Sequence, residues 1–227
     1  MTVCLFLSFR AGAAIEAAEI WKLEKVLAAT PRLRKALVHT SSDADDPYVK
    51  DGAPPRLVLQ LYFSELPDLE AALARFGALG DLTSHEFPSL AQAEITQQAM
   101  TVRSFAVPEP KAPGCTYLVA YQGEAEDLNA WLGHYLDSHI PTMARFPGLR
   151  ELEVYTRLDW VSALPWRRVN FMQRNKVAFD SAEALTAALH SPVRHEMRAD
   201  FKAFPPFSGP VTHFAMTTRV VHPASAR

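Results

Sequence analysis

The 227-residue sequence is poor in cysteine, in long apolar runs and in clustered positive charge. Cys4 and Cys115 are its only cysteines, which argues against a disulfide framework and predicts a reducing, cytoplasmic environment. No apolar run reaches the roughly 18 residues that a membrane-spanning helix needs, so we expect no membrane association. The net charge of −2 and the pI near 6.4, without a basic run, give no electrostatic reason to expect nucleic-acid binding.

Several short motifs that carry known chemistry are also missing. The chain has no phosphate-binding loop, no dinucleotide fingerprint and no nucleophile elbow. It has no H-E-x-x-H motif either, and the pair His195-Glu196 has no second histidine at metal-ligand spacing. That pair is typical of a solvated helix face. We therefore expect no metal site.

The sequence does contain an internal repeat. Three segments of the first half recur in the second half without a net insertion. They begin at pairs of identical residues that are 116 positions apart: Pro31 and Pro147, Phe63 and Phe179, Ala99 and Ala215. Self-similarity of this kind predicts two copies of one structural unit. We place the copies at residues 1–106 and 115–222, with a proline-rich linker at 107–114 and a tail at 223–227.

Each copy shows the pattern of four strands and two helices. The predicted strands are Thr2–Phe9, Leu33–Thr40, Arg56–Phe63 and Ile95–Phe105, then Thr116–Gln122, Leu149–Arg157, Arg168–Phe179 and Val211–Val221. The predicted helices are Ala13–Ala29, Leu66–Ala78, Glu126–Arg145 and Ser181–His190, the last one continuing as far as Phe201 in a longer alternative.

The resulting order, β-α-β-β-α-β, is that of the ferredoxin-like unit. Its helices cover one face of an antiparallel sheet, and a second copy can bury the other face. The predicted fold is therefore α+β, with two tandem ferredoxin-like repeats whose sheets pack face to face as a pseudo-dimeric α+β barrel. We expect a monomer that acts as its own pseudo-dimer, or a homodimer of such units.

The most informative segment runs from Trp131 to Tyr155. Trp131, Tyr135 and His139 recur every four residues, so they lie along one side of a helix that should kink or end near Pro141. His134 is five positions before His139, which places it off that side of an α-helix. A two-histidine metal site is therefore not expected.

This segment resembles the EthD-like members of the dimeric α+β barrel superfamily. The resemblance rests on Trp131-x3-Tyr135-x3-His139-x-Pro141 and on the Pro147-Gly148-Leu149-Arg150 turn that follows. In the first half the motif is eroded: Leu23 stands at the position of His139, and Arg32 at that of Gly148. The resemblance implies a pocket between the helices and the inner sheet face, with the helix histidine as the catalytic candidate. Members of the superfamily include lactone isomerases, polyketide cyclases, cofactor-free oxygenases and haem-handling enzymes.

Strand alternation predicts which side chains line such a pocket. In the strand after the turn, Leu152 and Val154 fit the helix-covered face, which leaves Glu153, Tyr155 and their alternate neighbours on the opposite face. In the last strand, the same reasoning predicts that Phe214 and Met216 lie on the helix-covered face. Polar groups on a face meant for burial either pair with one another or surround a ligand. The candidate ligand-binding residues are Trp131, Glu153, Arg157, His213 and Arg219.

His139 is the leading catalytic candidate, because the pKa of histidine lies near neutrality. Tyr155 and Tyr135 are candidate hydroxyl donors to a developing enolate. The alternative for His139 is a helix-end histidine that bonds a free carbonyl near Pro141, and the alternative for Trp131 is a core residue.

Three functions remain open at this stage, and each implies a small-molecule ligand. The first is an enzyme without a cofactor, which acts on an aromatic or cyclic acid or a polyketide-like molecule by proton transfer, as in isomerisation, cyclisation or dehydration. The second is a non-catalytic binding protein that serves a degradation pathway. The third is a haem-handling barrel with His139 as the axial ligand.

Overall fold

The computed structural model describes residues 1–10 and 15–223 of the chain. Its strands are β1 (Val3–Arg10), β2 (Leu33–Ser41), β3 (Leu57–Phe63), β4 (Glu94–Phe105), β5 (Cys115–Tyr121), β6 (Glu151–Arg157), β7 (Arg167–Arg168), β8 (Gln173–Phe179) and β9 (Val211–Val221). Its helices are α1 (Ala17–Ala29), α2 (Leu66–Leu73), α3 (Pro88–Ala91), α4 (Leu128–His134), α5 (Ile140–Met143), α6 (Ala182–Leu189) and α7 (Pro192–Phe201). A 3-10 helix spans Ala78–Thr83, and a π-helical turn, Tyr135–His139, joins α4 to α5.

Eight of these strands form a closed antiparallel barrel. The order around the barrel is β1-β3-β2-β9-β5-β8-β6-β4, and β4 pairs with β1 to close it. The short β7 lies outside the circle, parallel to β4. The predicted α+β class is confirmed. The sheets of the two halves are also joined edge to edge by backbone hydrogen bonds, through β2–β9 and β4–β6.

The strand order is the same in the two halves. The first half contributes β4-β1-β3-β2, and the second contributes β9-β5-β8-β6, each with its first strand between its third and fourth. The helices of each half lie on the outer face of its own sheet, so alternate side chains of every strand enter either a helix-covered core or the barrel lumen. Leu23 and Leu69 are in the outer core of the first half, and Trp131 and Leu185 are in that of the second half.

All the predicted strands and helices are present, with differences at their ends. The helix predicted for 66–78 ends at Leu73, because the chain turns back tightly at Gly77, where a Cβ would lie 2.4 Å from the carbonyl oxygens of Ala71 and Ala72. The longer alternative for the helix after Ser181 is correct in extent, but Pro192 begins a separate helix. The predicted start of α1 at residues 13–14 and most of the predicted tail, at 224–227, lie outside the described residues. Among the described helices, none is long and apolar enough to cross a membrane.

The closed barrel predicts that neither half is stable as a monomer. A chain of residues 115–227 would leave β9 and β6 as open edges and expose its lumen face to water. We expect this half to aggregate or to form a homodimer, as measured by size-exclusion chromatography with light scattering, while the full chain stays folded under the same conditions. A well-folded monomeric half would contradict the dependence of each sheet on the other.

Candidate functional site

Two of the predicted site residues, Glu153 and Tyr155, lie in the barrel lumen and belong to a closed polar network. The Lys176 ammonium is fully buried and lies 2.8 Å from Glu153 Oε2. The hydroxyls of Tyr62 and Tyr155 donate to the same carboxylate oxygen at 2.7 and 2.5 Å. Burial opposes ionisation of Glu153, but the Lys176 charge outweighs it and lowers the pKa of that carboxyl to about 2. The polar groups of this face therefore pair with one another, which was one of the two alternatives.

The network continues across the lumen to the first half and to β9. Gln60 donates to the Tyr155 hydroxyl at 2.9 Å, and its carbonyl oxygen lies 2.8 Å from His39 Nε2. Burial, followed by the nearby charge of Lys176, lowers the pKa of His39 to about 3, so this histidine is neutral at physiological pH. His39 Nδ1 in turn lies 3.0 Å from the Thr218 hydroxyl. Neutral, mutually bonded groups of this kind hold the two halves in register.

A separate cavity of about 400 Å³ lies on the helix-covered side of the second half. It is enclosed by the outer faces of β5, β8 and β9 on one side and by α5 and α7 on the other. Its wall is mostly apolar and aromatic, with Val119, Tyr121, Met143, Phe146, Met197 and Phe201 among the lining residues. A largely apolar cavity with few polar groups is the usual form of a small-molecule site. The resemblance implies a pocket between the helices and the inner sheet face. This cavity lies between the helices and the outer sheet face, across the sheet from Glu153 and Tyr155.

His139 borders this cavity and is held by a carboxylate. Its Nδ1 lies 2.6 Å from Asp200 Oδ2, near the end of α7, while the Ser138 hydroxyl donates to the other oxygen of Asp200 at 2.5 Å. His134 Nε2 lies 3.1 Å from that same oxygen. The expectation that His134 lies off the His139 side of the helix is wrong. The intervening turn is π-helical, with hydrogen bonds from residue i to i+5, and it brings residues five apart onto one side.

The electrostatics of this pair favour a neutral imidazole. Burial lowers the pKa of His139 to about 4, although the Asp200 carboxylate partly opposes the shift. Burial works against ionisation of Asp200 as well, but hydrogen bonds from Ser138 and His139 hold the pKa of Asp200 below its usual value. An ionised carboxylate can only accept, so His139 Nδ1 carries the proton. Nε2 is left with its lone pair and has no hydrogen-bond partner among the described residues, which is the arrangement of a general base.

The roof of the cavity comes from the first half, in the loop between β2 and β3. Tyr48 and Val49 of this loop line the cavity. Asp46 anchors the loop: it accepts from the Tyr117 hydroxyl at 2.6 Å and from Arg194 at 2.8 Å. The sequence gives one indication that this loop contributes to a site. The connection at 42–56 is irregular and longer than most strand-to-strand connections, and long loops are commonly functional.

Trp131 and Tyr135 are fully buried behind the cavity wall and do not border it. They pack against each other, with ring centroids 5.2 Å apart, and against Tyr121 and Phe204. Trp131 Nε1 and the Tyr135 hydroxyl have no hydrogen-bond partner of ordinary geometry among the described residues. Roles for these two residues in binding or catalysis stay predictions.

The remaining predicted residues are dispersed. His213 borders the cavity, and its Nδ1 lies 2.8 Å from Asp51 Oδ2. Arg157 pairs with Glu124 at 2.5 Å, and Arg219 pairs with Glu24 of α1 at 2.6 Å, so neither meets His139.

The predicted orientation of β9 is therefore wrong. Phe214 and Met216 face the lumen, and His213 faces the helices. The prediction failed because the lumen is partly apolar, with Leu118 and Met100 among its residues, so apolar side chains did not distinguish the two faces. The prediction for β6 is correct, since Leu152 and Val154 lie in the helix-covered core.

Among the described residues, no group of three or more His, Cys, Asp or Glu side chains has an arrangement that could hold a metal ion. Both cysteines are buried free thiols.

No protein-family model and no curated protein matches the chain. Solved structures, however, match almost its whole length. An anthrone oxidase-like protein is 14% identical, with a TM-score of 0.63 over 96% of this chain and 92% of its own. A putative monooxygenase from Lactobacillus acidophilus is 11% identical, with a TM-score of 0.56 over 97% and 96%. Chlorite dismutase from Candidatus Nitrospira defluvii is 9% identical, with a TM-score of 0.55 over 95% and 91%.

The chain has the dimeric α+β barrel fold. This confirms the α+β barrel architecture that the resemblance to the superfamily implied. The shared fold does not fix the reaction, because one fold can host many unrelated activities.

The low pKa of His139 can be measured by NMR titration of its ring protons. We expect a midpoint near 4, whereas a solvated histidine titrates near 6.5. Asp200→Asn should lower the midpoint further, because the carboxylate raises it. The pKa of His139 is lower in the folded state than in the unfolded state. Its contribution to the free energy of unfolding is therefore fully present above about pH 6.5 and is lost as the pH falls toward 4. A midpoint at or above 6.5 in the folded protein would contradict the buried neutral imidazole.

Proposed function

We propose that this protein is an enzyme without a cofactor that moves a proton on a small aromatic or cyclic molecule bound in the helix-side cavity. The observation that carries the proposal is the His139–Asp200 pair at 2.6 Å, placed at the wall of a mostly apolar cavity with Nε2 unbonded. His139 is neutral through the physiological range, so it can accept a proton without first losing one, and the Asp200 carboxylate supports the imidazolium that forms.

In the proposed step, His139 Nε2 takes a proton from a carbon that is made acidic by conjugation with a carbonyl group. The C–H bond breaks, its electron pair moves onto the carbonyl oxygen as an enolate, and the imidazole becomes an imidazolium. Asp200 stabilises this cation and fixes the tautomer, as a carboxylate does for a catalytic histidine. Return of the proton to a different carbon completes an isomerisation and restores the neutral base.

Asn175 is the best candidate for stabilising the enolate oxygen. It borders the cavity from β8, and its amide nitrogen has only a weak acceptor, Met143 Sδ at 3.6 Å. Its carbonyl oxygen is buried without a partner among the described residues. A buried amide that is poorly satisfied within the protein is available to a ligand, and a positioned donor at a developing oxyanion stabilises the transition state.

The substrate class follows from the cavity wall and from one structural neighbour. The aromatic and aliphatic lining favours a flat apolar ligand, and the anthrone oxidase-like name of that neighbour suggests a polycyclic ketone of the polyketide type. Anthrone is therefore the first probe, because its methylene carbon is acidic through the ketone. An aromatic or cyclic acid of similar size is the alternative substrate.

Proton abstraction can be followed as deuterium exchange into the methylene carbon of anthrone in D2O. His139→Gln should reduce the protein-catalysed exchange by about 10²–10⁴-fold, the usual contribution of a general base. Asp200→Asn should reduce it as well, because an amide can stabilise the wrong tautomer of His139. His85→Gln is the matched control, since His85 is exposed in a turn of the first half and does not line the cavity.

One further variant separates chemistry from folding. Leu23→Ala, at the position equivalent to His139 in the first half, should cost about 2–5 kcal/mol of stability as a core truncation while the folded protein keeps its activity. Exchange that survives His139→Gln would exclude His139 as the base. Binding of anthrone without any catalysed exchange would favour the non-catalytic binding protein instead.

A haem-handling role is a second candidate, and two features of the cavity favour it. A histidine whose Nδ1 is held by a carboxylate is a common axial ligand, and His139 has that arrangement. Arg198 and Lys202 border the same cavity and have no ion-pair partner among the described residues, so they could hold the propionates. Bound haem would supply one-electron and oxygen chemistry. A Soret band that appears on adding haem and is lost in His139→Gln would support this candidate; unchanged haem absorption would exclude it.

We propose further that the chain is EthD-like and arose as two tandem ferredoxin-like repeats, at residues 1–106 and 115–222, with 107–114 as the linker. The shared strand order supports this proposal. So does a shared backbone turn: Arg32 and Gly148, which are 116 positions apart, both have a left-handed backbone, with φ of 61° and 74°. Such a conformation is uncommon for arginine, and its presence at the equivalent position is expected if both turns descend from one ancestral turn.

A further inference from the structure

A second cavity, of about 290 Å³, lies at one mouth of the barrel lumen, away from the Lys176 network. It opens where β1 and β5 end and where β8 and β9 begin. Its wall combines aromatic rings with guanidinium groups: Phe6, Phe171, Phe214, Arg10, Arg167 and Arg174 are among the lining residues. The His139 site is on the other side of the sheet. Asn175 and Val119 line both cavities, but the proposed proton transfer uses none of the arginines at this mouth.

Arg174 enters this cavity without a carboxylate partner among the described residues. Its Nε donates a long hydrogen bond, 3.4 Å, to Gln98 Oε1, and its guanidinium carbon lies 4.7 and 4.6 Å from the ring centroids of Phe6 and Phe171. Burial lowers the pKa of Arg174 to about 10, so the side chain stays charged at physiological pH. A guanidinium has five N–H donors, and most of those of Arg174 are unused by the protein.

Arg10 adds a second charge of the same sign to the mouth. It lies over the Phe214 ring at 5.0 Å and also has no carboxylate partner among the described residues. It is close enough to Arg174 for its charge to lower the pKa of Arg174. Arg167, by contrast, is paired with Glu94 at 3.2 Å, and the nearby Asp51 carboxylate is bonded to His213. These two unpaired cations repel each other in a partly desolvated cavity. An anion bound between them would offset this repulsion and accept their hydrogen bonds.

We propose that this mouth binds a small organic carboxylate, with its carboxylate between the guanidinium groups of Arg174 and Arg10 and its apolar body against Phe171 and Phe214. The planar fork of arginine matches the two oxygens of a carboxylate. The apolar wall, which also includes Val58 and Leu118, selects a carboxylate on a hydrophobic body over an inorganic anion. The neighbouring hydroxyls of Ser8 and Thr96 line the cavity and can complete the anion's hydrogen bonds.

The test is isothermal titration calorimetry of the full chain with sodium benzoate at constant ionic strength, with inorganic phosphate as a second titrant. We expect saturable binding of one benzoate, weaker at high salt, and much weaker or absent binding of phosphate. Arg174→Gln should weaken benzoate binding by about tenfold or more, the loss expected for a charge-assisted hydrogen bond. Arg10→Gln, at an exposed position that should leave the fold intact, should weaken it in the same direction.

Two controls locate the binding. Arg103→Gln removes an exposed arginine that bonds Thr156 and does not line this cavity, so it should leave benzoate binding unchanged. His139→Gln should also leave it unchanged, which separates the mouth from the helix-side cavity. The proposal is overturned if benzoate does not saturate a site, if phosphate binds as tightly, or if Arg10→Gln and Arg174→Gln both bind benzoate like the unaltered chain.

Discussion

A lysine ammonium buried inside the barrel constrains the rest of this structure. Removing the charge of Lys176 from water is unfavourable unless carboxylates meet it, and Glu153 and Glu151 do so at 2.8 and 2.5 Å. The pairing fixes which alternate residues of β8 and β6 face the lumen. Once Lys176 faces inward, Asn175 and Val177 must face the helices, where both line the cavity. The buried ion pair thus determines which side chains of the second half are available to a ligand.

The same division of side chains between the two faces explains why the proposed site uses only the helix-covered face of the sheet. Tyr155 and Glu153 are bonded within the lumen network and hold the two halves together, so using them for chemistry would leave buried polar groups unpaired. His139 is under no such demand, because its partner Asp200 uses only one of its ring nitrogens. The first half also contributes to this site, since the loop that carries Tyr48 and Val49 forms the cavity roof. The cavity therefore depends on both halves even though the histidine belongs to one.

Much of the fold could be predicted from the sequence, because hydrophobic periodicity and the repeat are local or regular signals. The last strand, for example, has the predicted bounds, Val211–Val221. Its orientation could not be read in the same way, since Phe214 and Met216 are apolar residues of a lumen that is itself partly apolar. His139 was found from helical spacing. Asp200 was not, because it is 61 positions away and only the packing of α7 brings it to the histidine. A π-helical turn brings His134 to the same carboxylate, and α-helical periodicity does not reveal such a turn. The one local signal is the nearby Pro141, which lacks the N–H of a regular helix.

The most direct test of this account is a crystal structure of the full chain with a neutral aromatic ketone bound. We predict that the ketone occupies the helix-side cavity under Tyr48 and Val49, with its acidic carbon next to His139 Nε2. The Lys176–Glu153 pair in the lumen should be unchanged. A ketone bound inside the lumen, in contact with Tyr155 and out of reach of His139, would contradict the assignment of function to the helix-covered side of the sheet.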